Sequence, residues 1–193
     1  RHRVPGRSLV RRSYARVPAQ LVRAEGRLIL TNKSHRFPLG NGVFSLFKFF
    51  KILETEFKDL FEGELREKKF VSECVFESDL EILIPNEYVE SSAERISLYT
   101  ELDHIQNEEG LVRFTNNITD RFGQIPPQTE DLLNTMRLRW MARDLGFEKI
   151  MLKNKIMTAY LVSNQESEYY QTDTFIKIIK YAATHPRRCK VKE

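Results

Sequence analysis

The sequence predicts an α+β fold: a small mixed or antiparallel sheet packed against a group of helices. Three observations carry this. Helical and strand periods come in runs rather than alternating, in the order β, ααα, ββ, α, β. The chain has 193 residues, 41% of them hydrophobic and 30% charged, enough for one core of ordinary size. The breaks between runs fall at Gly123, Gly146 and Pro186, residues that end elements for known conformational reasons.

Residues 1–53 have neither a 3.6 nor a 2.0 period. Residues 27–31 (RLILT) are a candidate short strand, and residues 43–53 (VFSLFKFFKIL) are apolar but too short to span a bilayer, which needs ~20 residues. Phe57, Leu60 and Phe61 share one helical face within 56–69, with Gly63 as its end. Residues 70–76 are β-like. Leu80, Ile82 and Ile84 alternate as one strand face, stopped by Pro85.

Ser91 and Glu94 have capping-box spacing and open a helix to about Ile105, with Leu98, Leu102 and Ile105 as its buried stripe. A second helix starts near Glu108, buries Leu111, Thr115, Ile118 and Phe122, and ends on Gly123. A third starts on Pro127, since proline suits a first helical turn, and runs to Leu145 with Leu133, Met136 and Trp140 as core. Residues 147–152 and 156–162 read as a hairpin around Lys153-Asn154-Lys155, with Asn154 best able to adopt positive φ. Residues 163–172 read as a polar loop. A fourth helix over 173–184 buries Phe175, Ile178, Ile179 and Ala182, and Cys189 begins another strand.

Charge divides the chain. Residues 1–53 carry 12 Lys/Arg against one acid, Glu25, a balance of +11. Residues 54–193 carry 19 bases against 26 acids, a balance of −7. The expected organisation is therefore a basic irregular segment over 1–53, mostly disordered, and a domain over 54–193. Opening on arginine rather than methionine suggests a piece of a longer product without a secretory signal. The abrupt change near Glu54 leaves three readings: out-of-frame translation or a misassembled gene start, a divergent segment, or a functional basic arm. A basic arm would bind nucleic acid through phosphate contacts, although only Tyr14 interleaves an aromatic ring with the arginines.

Chemistry-bearing patterns are sparse. There is no phosphate-binding glycine loop, no nucleophile elbow and no paired-histidine metal motif. Cys74 and Cys189 stand apart, as expected of reduced cysteines, and His2, His35, His104 and His185 share no spacing. No catalytic, cofactor-binding or metal-binding residue is therefore expected. Arg137, Arg139 and Arg143 are the partner-contact candidates. Arg139 and Arg143 share a helix face while Arg137 lies about 160° from Arg139. The alternative is a solvated face paired with Asp144 and Glu148.

Several motifs in order resemble the C-terminal domain of the bacterial transcription-repair coupling factors, in phrasing closest to Bacteroidetes-type members. They are residues 56–61 (EFKDLF), residues 79–89 (DLEILIPNEYV) with an Ile-Pro-x-x-Tyr strand end, residues 94–99 (ERISLY) with Arg-x-x-x-Tyr, and residues 120–126 (DRFGQIP). The resemblance implies a fragment of an ATP-dependent DNA translocase that displaces stalled RNA polymerase and recruits UvrA. It implies that this domain is non-catalytic and autoinhibitory, docks on the UvrB-like N-terminal module of the parent and masks its UvrA-binding surface. No cofactor is implied here, ATP and magnesium belonging to the parent's motor. The implied location is cytoplasmic, without a membrane partner. It also implies that residues 1–53 are not native to the family and that the domain is incomplete at its end, so that the strand near Cys189 lacks its remaining sheet partners.

Overall fold

The computed structural model describes residues 27–31, 69–154, 156–186 and 189–192. The expected helix at 56–61 and the apolar run at 43–53 lie outside the described residues. Five strands form one sheet: β1 (Arg27–Thr31), β2 (Val75–Ser78), β3 (Phe147–Lys153), β4 (Ile156–Leu161) and β5 (Cys189–Lys192). Their spatial order is β2-β3-β4-β1-β5. β2 runs parallel to β3 and the other neighbours are antiparallel, so the sheet is mixed. The helices are α1 (Ser92–Asp103), α2 (Glu108–Phe122), α3 (Pro127–Asp144) and α4 (Asp173–Thr184). The expected α+β class holds.

The helix boundaries reflect capping chemistry. The Ser91 side chain accepts a hydrogen bond from the Glu94 amide, and the Asn107 side chain does the same for Gly110. Pro127 sits at the first position of α3 and Thr172 caps α4 through the Phe175 amide. Gly123 and Gly146 have φ of 86° and 83°, and Asn154 turns the β3–β4 hairpin at φ 52°. The Glu94 carboxylate does not complete a capping box, because it pairs with Arg121 on α2.

Two hydrophobic clusters share α3. Leu133 and Met136, with half-buried Leu132 and Trp140, face α1 and α2 and pack with Leu98, Leu102, Leu111, Phe114 and Ile118. Leu138, Ala142 and the adjoining Leu145 face the sheet and α4 and pack with Ile150, Ala159, Phe175 and Ile178. At 100° per residue these two sets lie on opposite sides of the helix. Sequence periodicity predicts only the first side, and Trp140 is half-buried there rather than core. The fully buried side chains of α3 are Leu138 and Ala142, each 0% exposed.

Two further expectations are corrected. Residues 80–84 are not a strand. The ladder with β3 ends where the Asp79 amide donates to the Leu152 carbonyl, and the Leu80 amide turns to the Ser78 hydroxyl. Leu80 and Leu83 are exposed, Ile84 is buried, and the Ile84 amide donates to the Tyr99 hydroxyl oxygen at 2.7 Å. The polar loop 163–172 contains a 3-10 turn at Glu168–Gln171 whose Tyr169 is 1% exposed. Its hydroxyl donates to the Leu145 carbonyl at 2.7 Å, and its ring meets those of Phe70, Tyr170 and Phe175 edge-on. The strand at Cys189 is paired on one side: Leu28 pairs with Val191 and Leu30 with Cys189, so residues 27–31 join β4 to β5, and β5 ends the strand order among the described residues.

Tyr169 also explains Gly146. A β-carbon on Gly146 would fall inside the Tyr169 ring, whereas one on Gly123 would meet open space. Gly123→Ala is expected to cost about 1–3 kcal/mol from backbone strain alone. Gly146→Ala carries similar strain and must also displace the ring, so it should be the more damaging substitution. Urea midpoints of the two variants check this, and equal midpoints would refute the packing of Tyr169 against Gly146.

Candidate functional site

The segment 84–90 is the scaffold for the exposed face of the helical layer. It carries too few backbone ladder bonds to hold itself, so side chains hold it. Arg95 on α1 donates from one guanidinium nitrogen to the Val89 carbonyl at 2.5 Å and the Glu90 carbonyl at 3.0 Å. Tyr88 donates to the Gly123 carbonyl at 2.9 Å, reaching the end of α2, and its ring meets Phe122 edge-on. Burial raises the Tyr88 phenol above its ordinary range, which keeps it a donor. Thr129 at the start of α3 donates to the Leu83 carbonyl. The residues that carry the family resemblance in 79–126 are thus mostly clamps.

Three adjoining hollows line the face that these clamps build. The first, about 510 Å³, lies among Glu81, Leu83, Ile84, Glu87, Arg95 and Tyr99. The second, about 430 Å³, shares Tyr99 and continues past Leu102, Asp103 and Leu132 to Met136 and Arg139. The third, about 330 Å³, shares Asp103, Met136 and Arg139 and ends at Glu73, Trp140 and Arg143. Shared lining residues make them one groove between α1, α3 and the segment entering β2. Its middle hollow is mainly apolar and its two ends are mainly polar, with charged side chains along its length. Sequence periodicity gives no sign of it, since Leu83 and Tyr99 meet only once 80–84 leaves the sheet.

The three candidate arginines are not brought together. Arg137 lies away from the groove, where Nε donates to both Glu108 carboxylate oxygens and a terminal nitrogen to the Asn134 side chain. Arg139 donates from Nε to the Cys74 carbonyl at 3.0 Å and pairs with Glu73, tying α3 to the start of β2. Arg143 pairs with Asp144 at 3.0 Å, as the solvated-face alternative expected for that residue. Arg139 and Arg143 both line the end of the groove beside Trp140.

Burial pushes the Cys74 thiol up to about 12, against the lowering effect of the nearby Arg139 guanidinium. On the sheet edge, a hydrogen bond from Lys149 holds the Glu77 carboxylate below its usual range. Among the described residues no group of three or more His, Cys, Asp and Glu is placed to hold a metal ion. Among them, too, no helix is long and apolar enough to cross a membrane.

This arrangement defines the class as an α+β module with a surface groove. The family model for the TRCF domain matches residues 78–172. The transcription-repair-coupling factor of Rickettsia typhi is 26% identical over 132 residues, 66% of this chain and 11% of that protein. Its counterpart in Rickettsia conorii is 26% identical over 136 residues, 70% of this chain and 11% of that protein. The Borreliella burgdorferi counterpart is 29% identical over 105 residues, 53% of this chain and 9% of that protein. The chain therefore spans about a tenth of the length of these relatives. A crystal structure of the C-terminal domain of transcription-repair coupling factor aligns at 11% identity and a TM-score of 0.38, covering 56% of this chain and 95% of that one. Residues 78–172 of this chain are therefore a TRCF domain, similar to part of the transcription-repair-coupling factors.

With its pKa near 12, Cys74 is thiolate in only on the order of one molecule in ten thousand at pH 8. Iodoacetamide at that pH is expected to leave Cys74 unmodified in the folded chain and to alkylate it on unfolding, read by mass spectrometry. Rapid labelling of Cys74 in the native chain would show that the start of β2 does not pack as described.

Proposed function

We propose that this chain is the non-catalytic regulatory module of a transcription-repair coupling factor, the ATP-dependent DNA translocase that displaces stalled RNA polymerase and recruits UvrA. In this reading the domain docks on the parent's UvrB-like module and masks the UvrA-binding surface until the motor engages. The observation that carries it is the family membership of residues 78–172, and the groove between α1 and α3 supplies a place for protein contact. The module works in the cytoplasm and needs no cofactor, ATP and magnesium serving the parent's motor domains.

The physics of such a switch is a differential one. A masking domain stabilises the closed state only by contacts absent from the open state. Intramolecular interfaces of about 600–1,500 Å² and mixed polarity suit it, because they open readily. Arg139 and Arg143, flanking Trp140 at the groove's end, are the proposed contacts in the closed state; Arg137 contributes by holding α2 against α3 through Glu108. The charge of +11 over residues 1–53 supports a second reading, a basic nucleic-acid-binding module acting through that segment.

A pull-down of this chain with the UvrB-like module from the same organism tests the first reading. Capture that falls at least tenfold with Arg143→Glu, while the variant keeps the wild-type thermal midpoint, is the expected result. No capture, together with salt-dependent binding to DNA of any sequence, would replace it with the second reading.

A further inference from the structure

We propose that the part of the groove around Leu83, Tyr99 and Leu132 is a second docking surface, and that it takes a basic amphipathic peptide segment of another polypeptide. This surface adjoins the closed-state contacts: Arg139 lines its far end beside Asp103, but donates to the Cys74 carbonyl and pairs with Glu73. Its apolar part lies between α1 and α3, where Leu102, Leu132 and Met136 line the second hollow, and it is open: Leu83 is 39% and Tyr99 37% exposed. Solvated aliphatic and aromatic side chains clustered about a hollow of several hundred Å³ favour a partner's apolar side chains.

Charge selects which apolar segment binds. Residues 81–109, which supply α1 and the groove's outer wall, contain eight acids and one arginine. That one cation, Arg95, already donates to the Val89 and Glu90 carbonyls, so it offers little to a carboxylate ligand. Glu81 and Glu87 stand at one end of the hollows and Asp103 at the other. A ligand with lysine or arginine at both ends of a short apolar stripe matches this layout. An acidic or uncharged apolar ligand would meet repulsion or gain nothing from it. The acids steer and orient the segment while the apolar floor supplies the desolvation, so binding should weaken as salt rises yet persist in part at high salt.

The test uses the full chain and three labelled synthetic peptides: one alternating lysine and leucine at helical spacing, one with its lysines replaced by glutamate, and one with its leucines replaced by serine. The expected result is saturable binding of the first alone, with amide shift changes confined to residues 81–103 and around Leu132. Glu87→Lys with Asp103→Lys should weaken it at least tenfold, and Leu83→Ser should weaken it without changing the salt dependence. Both charge reversals fall at exposed positions, and an unchanged thermal midpoint confirms that the variants fold. Equal binding of the glutamate peptide, shifts mapping elsewhere, or no effect of the charge reversal would overturn the proposal. A carbodiimide cross-link from Lys48 or Lys51 of the same chain to Glu87 or Asp103 would assign the groove to the chain's own basic segment. Concentration-dependent dimers lost on Leu83→Ser would assign it to a second copy. Either result overturns the proposal too.

Discussion

The burial of α3 on two opposite sides is the constraint on which the rest of this structure depends. Leu133 and Met136 belong to the helical cluster, while Leu138 and Ala142 belong to the sheet cluster, and both pairs come from one eighteen-residue helix. Neither cluster is large, and a small core alone is marginal. A helix that is apolar on both sides joins them, so side chains of α2 and strands of the sheet stabilise one another without touching. Arg137 and Arg139 reinforce the join at its edges by reaching Glu108 on α2 and Glu73 beside β2. These pairs are half-exposed and screened, so they orient more than they stabilise.

The same constraint explains the groove. With α3 committed to both cores, α1 covers only part of one side, and Tyr99 and Leu83 are left at the boundary. The segment 84–90 is held there by Tyr88, Arg95 and Tyr99 rather than by a sheet ladder. The family motifs Ile-Pro-x-x-Tyr and Arg-x-x-x-Tyr are thus fold-determining clamps, and they identify the domain without naming a reactive group.

Much of the fold is legible in the sequence. Ser91, Pro127, Gly123, Gly146 and Asn154 act locally, through caps and positive φ, and local rules read them correctly. The misses are non-local. Leu80-Glu81-Ile82-Leu83-Ile84 has a strand's alternation, but the β2–β3 ladder ends at Asp79 and the helical layer claims Ile84. The second side of α3 is hidden because Asp131, Asn134 and Thr135 stand among its apolar positions. Tyr169 sits in a run of polar residues whose pattern gives no hint of a buried ring. The pairing of residues 27–31 with Cys189–Lys192 joins positions far apart in the chain, which no local signal records. At the site, the residue types of Arg139 and Arg143 are visible in sequence, but the groove that they end is not.

Native-state hydrogen exchange on the chain carrying Leu138→Ala tests the central claim most directly. That residue belongs to the sheet-side cluster. If α3 welds the two cores into one cooperative unit, the most protected amides of α2, at Leu111 and Phe114, should lose the same free energy of opening as those of β4, roughly 2–5 kcal/mol. Loss confined to β3, β4 and α4, with α2 protection unchanged, would show that the two clusters open independently and would contradict the account.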